Sequence, residues 1–179
     1  MLRLFDFLFS FLGLIILLPI LIILWIIGFF ENGSPIFKQK RVGYNQKFFI
    51  LFKFRTMLKD TKSVPTHLVN NLKVTKFGFF LRQTKLDELP QLFNVLIGDM
   101  SLVGPRPCLV NQKKLISERK KRSVFKAKPG ITGLGQISGI TMKNPTLLAK
   151  TDMKMVRQLN LFYYFYYIVL TFFIFFKKN

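Results

Sequence analysis

From Phe7 to Phe30 the chain runs 24 residues without a charge (FLFSFLGLIILLPILIILWIIGFF). A run of about 18 already marks a helix that enters a bilayer. A cleaved signal peptide has a shorter apolar stretch and a small-residue cleavage site, and neither feature is present here. Pro19 lies at the middle of the run, where it removes one backbone hydrogen bond and crowds the preceding turn, so a kink is expected. At about 1.5 Å per residue the segment is roughly 36 Å long and each half roughly 17 Å. Two topologies fit those lengths, a kinked span and a re-entrant hairpin. Every basic residue except Arg3 follows the segment, which places residues 31–179 on the cytoplasmic side and leaves the position of the N-terminus open.

Beyond the apolar run the period changes. IFKQKRV and KFFILFKFRT, separated by Gly43, Tyr44, Asn45 and Gln46, predict a β-hairpin between Pro35 and Met57. Alternation sends Phe48, Ile50, Phe52 and Phe54 to one face and Lys53 and Arg55 to the other, two cations on an apolar support. Residues 58–75 are polar, contain Pro65 and His67, and read as a connection. Helical spacing resumes at Leu86, Leu89, Phe93 and Leu96. Thr84 is the expected cap, with Asp87 three residues on, and Pro90 puts the helix start near Asp87. A basic helix is expected between Leu109 and Lys126, then a glycine-rich loop from Lys128 to Gly139. The 16 uncharged residues from Leu161 to Phe176 are too few to span a bilayer comfortably. Their tyrosines suit a helix at the membrane interface, with a core helix as the alternative.

The length of 179 residues fits one modest catalytic unit. The formal charge of +20, from 28 basic and 8 acidic residues, suits nucleic acid, anionic lipid or phosphate-bearing substrates, and an AT-rich genome would also raise the lysine content. A single cysteine, Cys108, excludes an internal disulfide. A single histidine, His67, with no serine or cysteine motif near it, removes Ser-His, Cys-His and histidine-rich zinc chemistry. Carboxylates, cations, backbone groups and a hard metal ion remain. Asp87 and Glu88 are adjacent acids in a chain crowded with cations, suited to act as a nucleophile or to share a Mg²⁺ ion with substrate phosphate oxygens; two acids stabilising a helix start are the plainer reading. Arg82 and Arg106 flank that pair, and with Lys53 and Arg55 they could hold a diphosphate. Pro105 and Pro107 restrict the backbone on both sides of Arg106. Gly133, Gly135 and Gly139 miss the dinucleotide spacing by one residue and lack a βαβ context.

The segments SPIFKQKRVG, KFRTM, LRQTKLDELPQLFNVLIGDMSLVGPRP and KPGITG occur in this order, and together they resemble the monotopic phosphoglycosyl transferases, or bacterial sugar transferases. The resemblance implies an α+β fold, a small mainly helical cytosolic domain with a β-hairpin. It also implies an N-terminal re-entrant membrane helix broken at Pro19, so that residues 1–30 anchor and 31–179 catalyse at the cytoplasmic face of the bacterial inner membrane. It further implies transfer of a sugar phosphate from a UDP-sugar to undecaprenyl phosphate with release of UMP, using Mg²⁺, in contact with membrane lipid and downstream glycosyltransferases and without nucleic acid. Asp87 then matches the nucleophile and Glu88 its partner; Arg82 and Arg106 match phosphate-binding arginines, and Lys53 and Arg55 belong to the KFRTM motif. Departures begin at Leu134, where the family carries an aromatic residue, and continue at Ile140 and Thr141, where it has Arg-Asn. Met155 stands for a tyrosine, and Asn160 and Tyr164 stand for Ser and Asp. Neither the sugar, the glycan pathway nor the oligomeric state follows from the sequence. A basic, membrane-tethered module that binds lipid or nucleic acid without catalysis is the alternative, and it leaves the context of Asp87-Glu88 without a reason.

Overall fold

The computed structural model describes residues 1–59 and 74–178, so the connection around His67 lies outside the described residues. Helix α1 (Leu2–Asn32) runs through Pro19 as one helical element and ends where Gly33 takes a left-handed conformation (φ 65°) and its N–H bonds the Phe29 carbonyl. Its buried residues, Asp6, Ser10, Leu24 and Gly28, share one stripe. A Cβ added to Gly13 would stand 3.4 Å from Leu92, and one at Gly28 3.1 Å from Pro35, so small residues let α1 lie close against the domain. Away from that stripe Leu4, Phe11, Ile16, Ile23 and Phe30 are exposed. The helix is therefore apolar on both sides, with protein on one and an open surface on the other.

Strands β1 (Ile36–Val42) and β2 (Phe48–Phe54) form the expected antiparallel hairpin, turned through Asn45 and Gln46 at positive φ. The short β4 (Cys108–Leu109) pairs with the far side of β1, giving the order β2-β1-β4. Register places Arg41 opposite Phe49, Gln39 opposite Leu51 and Phe37 opposite Lys53, so these six share a face. The expected alternation holds, but the apolar support is a correction: Phe49 and Leu51, on the Lys53 face, are buried, while Phe48 and Ile50 are exposed. Phe54 turns inward at the strand end, against Leu24 of α1 and Leu81.

Helix α2 (Lys76–Thr84) precedes the expected helix and is capped by Thr75, whose hydroxyl accepts from the Gly78 N–H. Thr84 is its last residue and donates to the Phe80 carbonyl, so it does not cap the element that follows. Lys85 takes a left-handed conformation, Leu86–Glu88 form a 3-10 turn, and α3 (Gln91–Ile97) begins only after Pro90. The helix start is thus four residues later than the expected start at Asp87, because Lys85 breaks the chain direction first.

Strand β3 (Ser101–Val103) pairs in parallel with β5 (Gly130–Thr132), which lies inside the expected glycine loop. A Cβ at Gly130 would fall 2.0 Å from the Gly104 nitrogen, so glycine is what allows this approach. Helix α4 (Lys113–Lys121) fills the middle of the expected basic run, α5 (Leu134–Ile137) is a single turn, and α6 (Pro145–Gln158) packs on α4. Helix α7 (Leu161–Lys178) buries Tyr164 and Tyr167 in a core cluster with Val103 and Met155, while Phe162, Val169 and Phe173 are exposed. One face of α7 is thus a core helix, and its other face is open. The whole is an α+β domain with a long apolar N-terminal helix.

Candidate functional site

Asp87 and Glu88 sit on the 3-10 turn between α2 and α3, facing the inner surface of the hairpin. Asp87 is 8% exposed. Burial pushes its carboxyl up to about 6, the neighbouring Glu88 charge adds to this, and Lys53, Lys85 and Arg106 offset only part. That corrects the expectation of a carboxylate favoured by a helix N-terminus, since α3 starts beyond it. Glu88 behaves oppositely. Burial alone would raise it, but Arg106, bonded at 2.5 Å, together with Lys53 and Lys85, holds it below the usual carboxylate range. Two adjacent acids are thus pushed in opposite directions, an arrangement that acid-base and nucleophilic sites use.

A cleft opens over this turn, lined by Arg41, Lys53, Glu88, Gln91, Arg106 and Pro107. Lys53 projects into it from β2, its ammonium pushed down to about 8 by burial and then by Arg41. Arg82 is close enough to Asp87 to feel its charge, and its Nε donates to the Thr56 hydroxyl at 2.9 Å. Arg106 remains 40% exposed while gripping Glu88. Four of the cations expected from sequence thus divide three to one: Lys53, Arg82 and Arg106 surround the dyad, and Arg55 does not line the cleft. Arg55 donates to the Ser34 carbonyl and lies 5.4 Å from the Phe37 ring, which it shares with Lys53.

Arg41 is the cation that sequence reasoning missed. It is buried, brought down to about 10 by burial and by Arg106, and held by Gln39 and by the Pro107 carbonyl. Its signal was present in the hairpin register, because Arg41 has the same strand parity as Gln39 and faces Phe49 on the Lys53 side. The departures from the family pattern lie away from the cleft. Leu134, Met155 and Tyr164 pack together in the core around Val103, and Ile140 packs with another buried cluster. The Thr141 hydroxyl accepts from the Lys143 N–H, and Asn160 caps α7 through the Tyr163 N–H.

Among the described residues no group of three or more His, Cys, Asp or Glu side chains is placed to hold a metal. The dyad offers carboxylate oxygens only, a hard donor set that fits Mg²⁺ when phosphate and water complete its shell. Asp87 and Glu88 are the residues that could hold it. The site can therefore neutralise a diphosphate with Arg41, Lys53, Arg82 and Arg106 while presenting one carboxylate as a nucleophile.

A family model described as bacterial sugar transferase matches residues 1–178. The chain is 49% identical over 108 residues to an uncharacterized sugar transferase, EpsL, of Bacillus subtilis, covering 60% of this chain and 53% of that protein. It is 43% identical over 152 residues to a UDP-glucose:undecaprenyl-phosphate glucose-1-phosphate transferase of Klebsiella pneumoniae, covering 81% of this chain and 32% of the relative. With an undecaprenyl-phosphate galactose phosphotransferase of Salmonella typhimurium it shares 40% identity over 154 residues, 76% of this chain and 32% of the relative. The chain spans about half the length of the first of these proteins and about a third of the other two.

Proposed function

The chain belongs to the bacterial sugar transferase family, and from that premise we propose that it transfers a sugar phosphate from a UDP-sugar to undecaprenyl phosphate. The observation that carries this reading is a buried Asp87 beside an ionised Glu88, ringed by Arg41, Lys53, Arg82 and Arg106. Asp87 attacks the phosphorus that bears the sugar, the bond to the bridging oxygen breaks, and UMP leaves with that oxygen. An oxygen of undecaprenyl phosphate then attacks the same phosphorus, the bond to Asp87 breaks, and the carboxylate is restored as the lipid diphosphate sugar forms. The four cations offset the repulsion between anionic nucleophile and anionic phosphate. Held by Asp87 and Glu88, Mg²⁺ would supply further charge neutralisation at the phosphates. The matched relatives are named for glucose and for galactose, so the sugar is left to experiment. Detergent-purified protein with Mg²⁺, undecaprenyl phosphate and a panel of UDP-sugars should release UMP and give an organic-soluble product; no UMP with any UDP-sugar overturns the reading.

The same premise extends to the membrane. Helix α1 is long and apolar enough to cross a bilayer, yet its first turn and its last both contact the domain. Arg3 donates to the Val95 and Leu96 carbonyls at the end of α3, and Glu31 accepts from the Thr75 hydroxyl at the start of α2. Asp6 accepts from Ser101 Oγ, the Leu102 N–H and Tyr164 Oη. Such contacts favour a helix that dips into one leaflet over one that crosses, with residues 1–30 as the anchor and the rest of the chain at the cytoplasmic face. Undecaprenyl phosphate would then meet the cleft at the headgroup level.

A further inference from the structure

The segment Pro105-Arg106-Pro107 carries one backbone N–H among three residues, so its geometry depends on what binds its carbonyls. Each carbonyl has a donor from a different element. Pro105 accepts from the Gly130 N–H at 3.0 Å, Arg106 from Arg119 Nη1 at 2.8 Å, and Pro107 from Arg41 Nη1 at 2.9 Å. Arg119 comes from α4 and is clamped by Asp152 of α6, with Nε and Nη2 at 2.9 and 2.7 Å from Oδ2. The two side chains are 2% and 0% exposed.

A buried ion pair is a weak source of stability, because desolvating both charges offsets most of their attraction. What this pair does deliver is a fixed donor at a single carbonyl. That carbonyl sets the plane of the Arg106–Pro107 peptide, and so the direction in which the long, 40% exposed Arg106 side chain leaves the backbone toward Glu88. We propose that Arg119, held by Asp152, is a positioning residue that aims Arg106 at Glu88 and at the substrate phosphate without touching either. The assignment rests on the transferase reading above. Sequence spacing hides the relay, since Asp152, Arg119 and Arg106 lie on separate elements.

The test is a double-mutant cycle on UMP release. Arg119→Lys keeps the charge but lacks a fork that can hold Asp152 and the Arg106 carbonyl together. It should lower kcat about tenfold or more while the donor KM changes less. In an Arg106→Ala background the same substitution should cost less than about twofold, because the group it aims is gone. The paired change Arg119→Met with Asp152→Leu replaces the buried charges by packing of similar shape. It should keep the thermal midpoint of the wild type, show the same loss of turnover and the same coupling to Arg106, and carry the cycle should Arg119→Lys fail to fold. Equal losses with and without Arg106, or wild-type turnover in the paired variant, overturn the proposal. Absence of turnover in the wild type overturns the transferase reading and this proposal with it.

Discussion

Asp87 is held under two opposing demands. A nucleophile must be ionised, yet burial and the Glu88 charge place its carboxyl at about 6, above its ordinary value. Between an unfolded value near 4 and the folded value of about 6 the native state binds more protons than the unfolded chain. Stability therefore falls as pH rises across that window, and above it the full cost of the buried charge is in place. Asp87→Asn removes that cost. In EDTA, the variant should gain up to about 3 kcal/mol over wild type at pH 7.5 by chemical denaturation, and the gain should vanish near pH 4. Its turnover should be absent. A variant less stable than wild type at pH 7.5 would show that Asp87 is stabilised in place, contrary to this reading. The adjacency of Asp87 and Glu88 is a local pattern visible in the sequence, whereas Lys53, Arg82 and Arg106 are spread over more than 50 residues and were singled out through the motifs of the family resemblance. Arg41 shares the strand parity of Lys53, but its burial depends on the Pro107 carbonyl, 66 residues away, and Arg119 is likewise defined by a distant partner, Asp152.

Helix α3 and the hairpin meet through Asn94, which is fully buried. Its Oδ1 accepts from the Phe52 N–H at 3.0 Å and its Nδ2 donates to the Ile50 carbonyl at 2.7 Å. Strand β2 lies at the edge of its sheet, so one side chain supplies the pairing that a further strand would give. This fixes β2, and with it Lys53, relative to the turn that bears Asp87. Asn94→Ala should cost about 2–4 kcal/mol of stability through two stranded backbone groups, measured by denaturant titration. A loss below about 0.5 kcal/mol, the size of an ordinary surface change, would mean that water replaces both bonds and the strand needs no such clamp. At this scale the hairpin was legible because β-like alternation and turn residues are local. Its inner face was misjudged because both faces of β2 carry aromatic residues. Helix α2 went unread since Gly78 interrupts it, and Gly78 is required by the Thr56 backbone, 2.2 Å from where its Cβ would be. Helix α6 went unread despite a legible start, with Asn144 accepting from the Leu147 N–H and Pro145 in the first turn.

For the molecule as a whole, the position of residue 2 decides how the site meets its lipid. A 31-residue α1 is about 46 Å long, more than the roughly 30 Å of a bilayer core, so a crossing helix would carry Arg3 and Asp6 to the opposite surface. There Arg3 would lose the Val95 and Leu96 carbonyls, and Asp6 would lose three donors from Ser101, Leu102 and Tyr164. An Asp6 that is 3% exposed and multiply bonded is costly to strip of its partners. The residue-2 end should therefore stay with the domain. Leu2→Cys in a Cys108→Ser background provides the test, because Cys108 is buried and its small replacement leaves a single reporter thiol. In intact spheroplasts a membrane-impermeant maleimide should fail to label residue 2 and should label it after permeabilisation. Arg3→Ala with Asp6→Ala, which removes both anchoring groups from the first two turns, should raise the fraction labelled from outside. Labelling of the otherwise wild-type helix from outside would establish a crossing α1 and would detach the Arg3 and Asp6 contacts from the membrane-bound state.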